Sequence, residues 1–148
     1  LKIIDTLDIS HNTVHDGAYS GITPGWGWCG NGPECAHRNY TINHNYIYDV
    51  VRSKLYDGAP IYLLGGFMNE MGEIFNEVAH NYLEYRRGLG VIYLDESTTS
   101  YYIHDNALNV LDNEDNKMYG AIFNHNPIYV SPQIIFLRYL QKQNVHLP

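Results

Sequence analysis

The fold is decided by Tyr40-Thr41-Ile42-Asn43-His44-Asn45-Tyr46-Ile47-Tyr48-Asp49, a stretch whose layout recurs three more times along the chain. The other copies lie at 7–16, 76–84 and 101–109, around Asn12, Asn81 and Asn106. In each copy, one apolar residue stands three positions before the asparagine and another stands two positions after it. Copies of one layout at uneven intervals of about 25 to 36 residues indicate a repeat architecture whose insertions fall in loops.

A second short apolar strand follows each copy, at 21–22, 60–63, 90–94 and 120–123. One such unit of about 20 to 25 residues cannot bury its apolar face, whereas units stacked at the strand spacing of ~4.8 Å build a continuous core. Stacking predicts three interior rows of aliphatic residues. The rows are Ile61, Ile92 and Ile122; Ile9, Ile42, Val78 and Ile103; and Val14, Ile47, Leu83 and Leu108.

The repeated asparagines form the most specific part of the prediction. We expect Asn12, Asn45, Asn81 and Asn106 to stack as an asparagine ladder at a bend, because Asn tolerates positive φ and its amide can bond the next Asn. The predicted fold is all-β, a right-handed parallel β-helix of about four to five turns in one domain over 1–148. The run 132–141 favours a helix, so 131–148 is predicted as a C-terminal helical cap. An antiparallel sandwich is the alternative, and it does not explain the recurrent asparagine.

The composition of the chain disfavours some classes of binding partner. The chain has 148 residues, 14 tyrosines, 17% charged residues and a net charge of −7. This negative charge disfavours nucleic acid and anionic membrane surfaces, and no apolar run is long enough to span a bilayer. A neutral or cationic ligand fits better, and the chain is expected to be a piece of a longer protein.

Two local signals point to secretion. Cys29 and Cys35 bracket a turn-rich loop, for which we expect a disulfide in place of two free thiols. Asn39 opens an Asn-Tyr-Thr glycosylation sequon. Together they favour a secreted glycoprotein.

Three segments, 19–28, 55–65 and 90–97, resemble in order the motifs of right-handed β-helix glycoside hydrolases of the β-xylosidase and α-fucosidase type. This resemblance implies a secreted or periplasmic carbohydrate-active protein whose acids lie on the Asp-Gly and Tyr-Leu-Asp-Glu strands. Ala59-Pro60 stands where such relatives usually have Gly-Gly or Gly-Ala. The resemblance covers roughly residues 7 to 110.

Glycoside hydrolysis requires two carboxyl groups about 5 to 10 Å apart. The candidates are Asp57, Asp95 and Glu96, with Asp95 or Glu96 as general acid and Asp57 as nucleophile or base, or with these roles reversed. A bend is required to bring Asp57 to Asp95, because the spacing of the repeats does not. The structural alternative is that Asp57-Gly58 is a turn and Asp95-Glu96 a solvated strand end.

Aromatic side chains are natural platforms for sugars. The predicted substrate-binding residues are Trp26, Trp28, Tyr19, Tyr56, Tyr62, Tyr93 and His104. The tryptophans could instead cover the loop between the cysteines, and Tyr62 and Tyr93 could instead stack on each other. His104, next to Asp105, is a candidate helper for an acid.

His11, His44 and His80 precede the ladder asparagines and are predicted to form a polar outer row. No metal site or cofactor is predicted, since side chains in a row do not converge as tetrahedral zinc requires. The leading function is hydrolysis of a glycosidic bond in a poly- or oligosaccharide. The alternative is a non-catalytic extracellular β-helix that binds glycan or builds an assembly, either with the rest of a longer chain or by self-association.

Overall fold

The computed structural model describes residues 6–24, 38–53, 55–65, 76–96, 98–110 and 120–125, together with the backbone of 135–139. These residues form eleven strands and no helix. The strands are β1 (Leu7–Ser10), β2 (Thr13–Val14), β3 (Tyr40–Asn43), β4 (Tyr46–Ile47), β5 (Ile61–Leu63), β6 (Asn76–Ala79), β7 (Tyr82–Tyr85), β8 (Gly90–Leu94), β9 (Tyr101–Val110), β10 (Gly120–Asn124) and β11 (Ile135–Tyr139).

The strands form two sheets in which every pairing is parallel. The larger sheet has eight strands, in the order β1-β3-β6-β9-β7-β4-β2, with β11 also paired to β9. The smaller sheet has the order β10-β8-β5. Parallel pairing of strands from successive repeats rules out the antiparallel sandwich for the described part of the chain.

The predicted closed right-handed β-helix is wrong: the described strands form two sheets, and no closed coil is found among them. The physical reason lies in β9, which remains one strand through the bend at Asp105, whereas the three earlier copies each have two strands separated at the equivalent bend. Its first half pairs with β6 and its second half pairs with β7, so the two strand sets of each repeat merge into one sheet.

The predicted C-terminal helix is also wrong, because Ile135–Tyr139 is strand β11. Its sequence is short and mainly apolar, with Arg138 as the one charged residue, and periodicity alone cannot assign such a segment to helix or strand. The backbone of β9 decides the outcome, since β11 pairs with it in parallel from Ile135 opposite Ile103 to Tyr139 opposite Leu108. The remainder of 131–148 lies outside the described residues.

All three aliphatic rows are confirmed by the strand register. Ile42 faces Ile9 and Val78, Ile47 faces Val14 and Leu83, and Ile92 faces Ile61 and Ile122, as Cα partners. The inner members of the rows are fully buried, whereas Ile9, Val14 and Ile122 at the ends are partly buried. Burial of each such side chain contributes about 1.5 to 3 kcal/mol, so the rows form the main core.

The asparagine ladder is confirmed by hydrogen bonds. The Oδ1 of Asn45 accepts the backbone N–H and the side-chain amide of Asn12, both at 3.0 Å. The Oδ1 of Asn81 accepts the backbone N–H (2.9 Å) and the side-chain amide (3.0 Å) of Asn45. The Oδ1 of Asn106 likewise accepts the backbone N–H (3.0 Å) and the side-chain amide (2.9 Å) of Asn81. Because Asn45, Asn81 and Asn106 are buried, these bonds satisfy groups that would otherwise be costly to bury.

One detail of the bend differs from expectation. The residue with positive φ is the one before each ladder asparagine: His11 (58°), His44 (56°), His80 (55°) and Asp105 (49°). The asparagine is selected by its amide hydrogen bonds and not by its backbone. His and Asp tolerate the left-handed region better than most residues, which explains why they precede it.

Candidate functional site

The candidate site forms where β8 ends in the smaller sheet. All five residues of β8 are buried, and Asp95 follows directly, with its backbone N–H donating to the carbonyl of Leu63 on β5 at 2.9 Å. Asp95 is itself only 7% exposed. A carboxylate buried to this degree needs hydrogen-bond donors, and the neighbouring strands provide them.

Three side chains hold the carboxylate of Asp95. The hydroxyl of Tyr62 donates to Oδ2, while the hydroxyl of Tyr93 (3.2 Å) and the Nδ1 of His125 (2.9 Å) contact Oδ1. Burial acts to raise the pKa of Asp95, but these bonds and the backbone N–H of Glu96 hold it below its ordinary value. Asp95 is therefore an anion at neutral pH, and the contact to His125 requires a proton on Nδ1.

Asp57, on a different loop, acts on the same tyrosine side chains that surround Asp95. It is exposed, in the turn before β5 where the N–H of Gly58 donates to the carbonyl of Tyr56 at 3.0 Å. Burial raises the pKa of Tyr93, and the charges of Asp95 and Asp57, together with side-chain hydrogen bonds to both, raise it further. Both carboxylates are therefore near enough to act on the hydroxyl of Tyr93, which donates its hydrogen bond to Asp95 at 3.2 Å.

The turn at Asp57 is held by Gly88, which has φ of +120° and would place a Cβ 2.3 Å from the carbonyl oxygen of Gly58. The same carbonyl accepts the N–H of Leu89 at 3.2 Å. Glycine is required at position 88, because a side chain there would collide with this carbonyl.

Aromatic rings surround the two carboxylates. The ring centroids of Tyr62 and Tyr93 lie 4.7 Å apart in an edge-to-face contact, so the two residues pack on each other, which is the alternative to sugar binding that the sequence left open. The ring centroid of Tyr19 lies 6.2 Å from that of Tyr62, and the ring centroid of Phe123 lies 5.0 Å from that of Tyr93. Burial and then the charges of Asp57 and Asp95 raise the pKa of Tyr19. Since Tyr62 and Tyr93 are each only 2% exposed, they support the site and present little face to solvent.

Tyr56 is the exposed aromatic residue at this edge, with half of its surface accessible. The guanidinium carbon of Arg87 lies 5.8 Å from its ring centroid, a cation–π geometry. Tyr56 directly precedes Asp57, so it is placed to offer a ring beside the acidic pair.

Other predicted site residues are placed elsewhere. Glu96 has an exposed side chain in the turn after Asp95 and contributes its backbone N–H. His104 lies on β9 in the larger sheet, where its Nδ1 is 3.1 Å from Asp105. Asn39 is exposed, with φ of 56°. Trp26, Trp28, Cys29 and Cys35 lie outside the described residues.

His125 and Phe123 are the members of the site that the sequence analysis missed. The register supplies the signal, because Asn124 of β10 pairs with Leu94 of β8. The residues that follow, His125 and Asp95, therefore stand at the same level of adjacent strands. Extending the repeat alignment by one residue past β10 would have predicted the contact.

Comparison with known proteins finds no significant match to any family model, curated protein or solved structure. No helix with the length and hydrophobicity of a membrane span occurs in the described parts of the chain.

Proposed function

We propose that this protein binds carbohydrate at the Asp57–Asp95 cluster and hydrolyses a glycosidic bond there. The proposal rests on the hydrogen bond from the Tyr93 hydroxyl to Asp95 at 3.2 Å, and on the effect that the charges of both Asp57 and Asp95 have on that hydroxyl. Glycoside hydrolysis uses two carboxyl groups on either side of the scissile bond, and one of them must be ionised.

The environments of the two carboxyl groups favour distinct roles. Asp95 is held as an anion by Tyr62, Tyr93 and His125, which suits it to attack the anomeric carbon or to activate a water molecule. Asp57 is exposed at the open edge of the cluster, where a glycosidic oxygen could reach it, so it is the proposed general acid. This is the reverse of the first assignment made from the sequence.

In the proposed step, the carboxylic acid of Asp57 gives its proton to the glycosidic oxygen as the bond from that oxygen to the anomeric carbon breaks. Asp95 either bonds to the carbon, forming an ester that water later cleaves, or takes a proton from the water that attacks. In both routes water supplies the hydroxyl of the new sugar end and one proton, so no oxidant or cofactor is needed.

The test is release of aryl alcohol from a panel of aryl glycosides. Asp57→Asn and Asp95→Asn should each lower the rate by about 10²- to 10⁴-fold, the typical contribution of a positioned acid or base. Asp16→Asn, at an exposed carboxylate in the bend after β2, is the matched control and should leave the rate unchanged. Equal rates in the wild-type protein and both site variants would refute the hydrolytic role.

A second candidate is glycan binding without hydrolysis. The observation that favours it is the saturation of Asp95, because Tyr62 occupies Oδ2 while Tyr93 and His125 both contact Oδ1. In this case Tyr56→Ala should abolish retention on immobilised glycans, and Asp57→Asn should have a smaller effect. No release of aryl alcohol by the wild-type protein together with glycan retention would favour this candidate over hydrolysis.

A further inference from the structure

A second polar cluster lies on the outer side of the bend in the larger sheet. One side-chain donor atom from each of His80, His104 and Asp105 lies within 4.8 Å of the others. The Nδ1 of His104 is 3.1 Å from Oδ2 of Asp105. Two ligands bound to one zinc ion at about 2.1 Å are separated by about 3.0 to 3.4 Å, so this pair is already at a ligand–ligand distance.

The other nitrogen of His104 has a partner of its own. Its Nε2 lies 3.0 Å from Oε1 of Glu77, and Oε2 of Glu77 accepts the amide of Asn43 at 2.7 Å. A carboxylate that receives one ring N–H of a histidine fixes the tautomer and directs the other nitrogen to a metal. This contact comes from Glu77, a residue outside the cluster of His80, His104 and Asp105.

The row formed by His11, His44 and His80 shows why a cluster of converging side chains forms only at the His80 end of the row. The rings of His11 and His44 stack at 5.0 Å with an interplanar angle of 3°, and those of His44 and His80 lie 5.1 Å apart at 32°, so rings in this row face one another and not a common point. In the fourth repeat Asp105 takes the histidine position and a histidine stands one residue earlier. The ring of His104 therefore meets that of His80 edge-on, at 5.6 Å and 83°.

We propose that His80, His104 and Asp105 bind a divalent transition-metal ion, with zinc as the preferred ion, and that Glu77 positions His104. The sequence analysis predicted no metal because side chains in a row do not converge, and it did not consider His104 as a ligand. Two imidazoles and one carboxylate are a ligand set that zinc accepts, and three protein ligands leave a fourth position for water. The residues belong to the larger sheet, whereas the Asp57–Asp95 cluster belongs to the smaller one.

The competing state contains no metal, with His104 protonated and paired to both Glu77 and Asp105. Adding zinc to the chain purified without a polyhistidine tag distinguishes the metal-bound state from the metal-free state. We expect isothermal titration calorimetry to give one zinc ion per chain and thermal unfolding to shift upward with zinc. Magnesium and calcium should cause neither effect, because they prefer oxygen ligands.

Three variants test the assignment of ligands. His80→Ala and Asp105→Asn should each weaken zinc binding at least tenfold, and Glu77→Gln should weaken it by about 10- to 100-fold. Asn tolerates the left-handed backbone at position 105, so this variant keeps the bend. His11→Ala, at the equivalent exposed position of the first repeat, is the control and should bind zinc like the wild-type protein.

Cobalt provides a readout that separates this site from the cysteines. Cobalt bound by nitrogen and oxygen should give visible ligand-field bands without a thiolate charge-transfer band. Absence of zinc uptake by the folded wild-type chain, undiminished binding in His80→Ala, or a thiolate band that accounts for the bound ion would each overturn the proposal.

Discussion

Replacing Asn81 with alanine should destabilise the protein far more than the same change at Asn12. The Oδ1 of Asn81 accepts the backbone N–H and side-chain amide of Asn45, and its own amide donates to Asn106 at 2.9 Å and to the carbonyl of Ile42 at 2.8 Å. The variant leaves the buried N–H of Asn45 without this acceptor. Each buried group left unpaired costs about 1 to 3 kcal/mol.

Asn81→Ala should lower the free energy of unfolding by about 3 to 5 kcal/mol. This loss combines the unpaired N–H of Asn45, the missing hydrogen bond to the carbonyl of Ile42, and the missing side-chain amide bonds to Asn45 and Asn106. Backbone strain adds nothing, since the residue with positive φ is His80 and not Asn81. Asn12 is exposed at the end of the ladder, and in Asn12→Ala the backbone N–H at position 12 still donates to Asn45. That variant should lose about 1 kcal/mol or less.

Urea unfolding followed by far-ultraviolet circular dichroism measures both losses. With a slope of about 2 kcal/mol per molar urea, Asn81→Ala should move the midpoint down by about 2 M and Asn12→Ala by about 0.5 M or less. The slopes should remain equal, so that the midpoints report stability alone. Losses within about 0.5 kcal/mol of each other would refute the account of the ladder as a cooperative buried network.

Three further outcomes follow from single contacts. Tyr85→Phe should lower the free energy of unfolding by about 1 to 2 kcal/mol, because the hydroxyl donates to the carbonyl of Gly88 at 2.6 Å inside the core; an unchanged urea midpoint would contradict this. Gly21→Ala should cost about 1 to 3 kcal/mol by thermal unfolding, since a Cβ there would lie 2.7 Å from the carbonyl oxygen of Pro60. The lowered pKa of Asp95 stabilises the fold above its unfolded pKa of about 3.9, and this contribution is lost as the pH falls through the folded value. Urea midpoints measured from pH 5 to pH 2.5 should therefore fall less steeply in Asp95→Asn than in the wild-type protein, and parallel curves would contradict the shift.

The sequence was sufficient to predict the stacking of the repeats but not how the sheets join. Register follows from residues that must face the core together, so the spacing of Ile42 and Ile47 around Asn45 determined both rows. Sheet membership depends on whether the backbone pairs across a bend. Nothing in the residue pattern of 101–109 distinguishes a strand that continues through the bend from one that stops there.

The same limit applies to both clusters of polar side chains. The placement of the Asp57 turn depends on the close packing of Gly88, at a φ of +120°, against the carbonyl of Gly58, a residue far from it in sequence. The convergence of His104 with His80 depends on the rotation of one ring at the end of a row. Each contact depends on the backbone or ring angle of a single residue. The spacing of apolar residues along a strand carries no information about such an angle.

The Asp57–Asp95 cluster depends on register in the smaller sheet because its members come from three successive repeats. Tyr62 is on β5, Tyr93 is its Cα partner on β8, and His125 follows β10 at the level of Asp95. A slip of one residue between parallel strands would move a side chain to the opposite face, so the cluster exists only when all three strands are in register. The isoleucines that pair across these strands lie in the same core cluster as the rows beside the asparagine ladder. Stable stacking in the larger sheet and correct placement of the acids in the smaller sheet are therefore two consequences of one shared core, and weakening the ladder should perturb the environment of Asp95 before the chain unfolds.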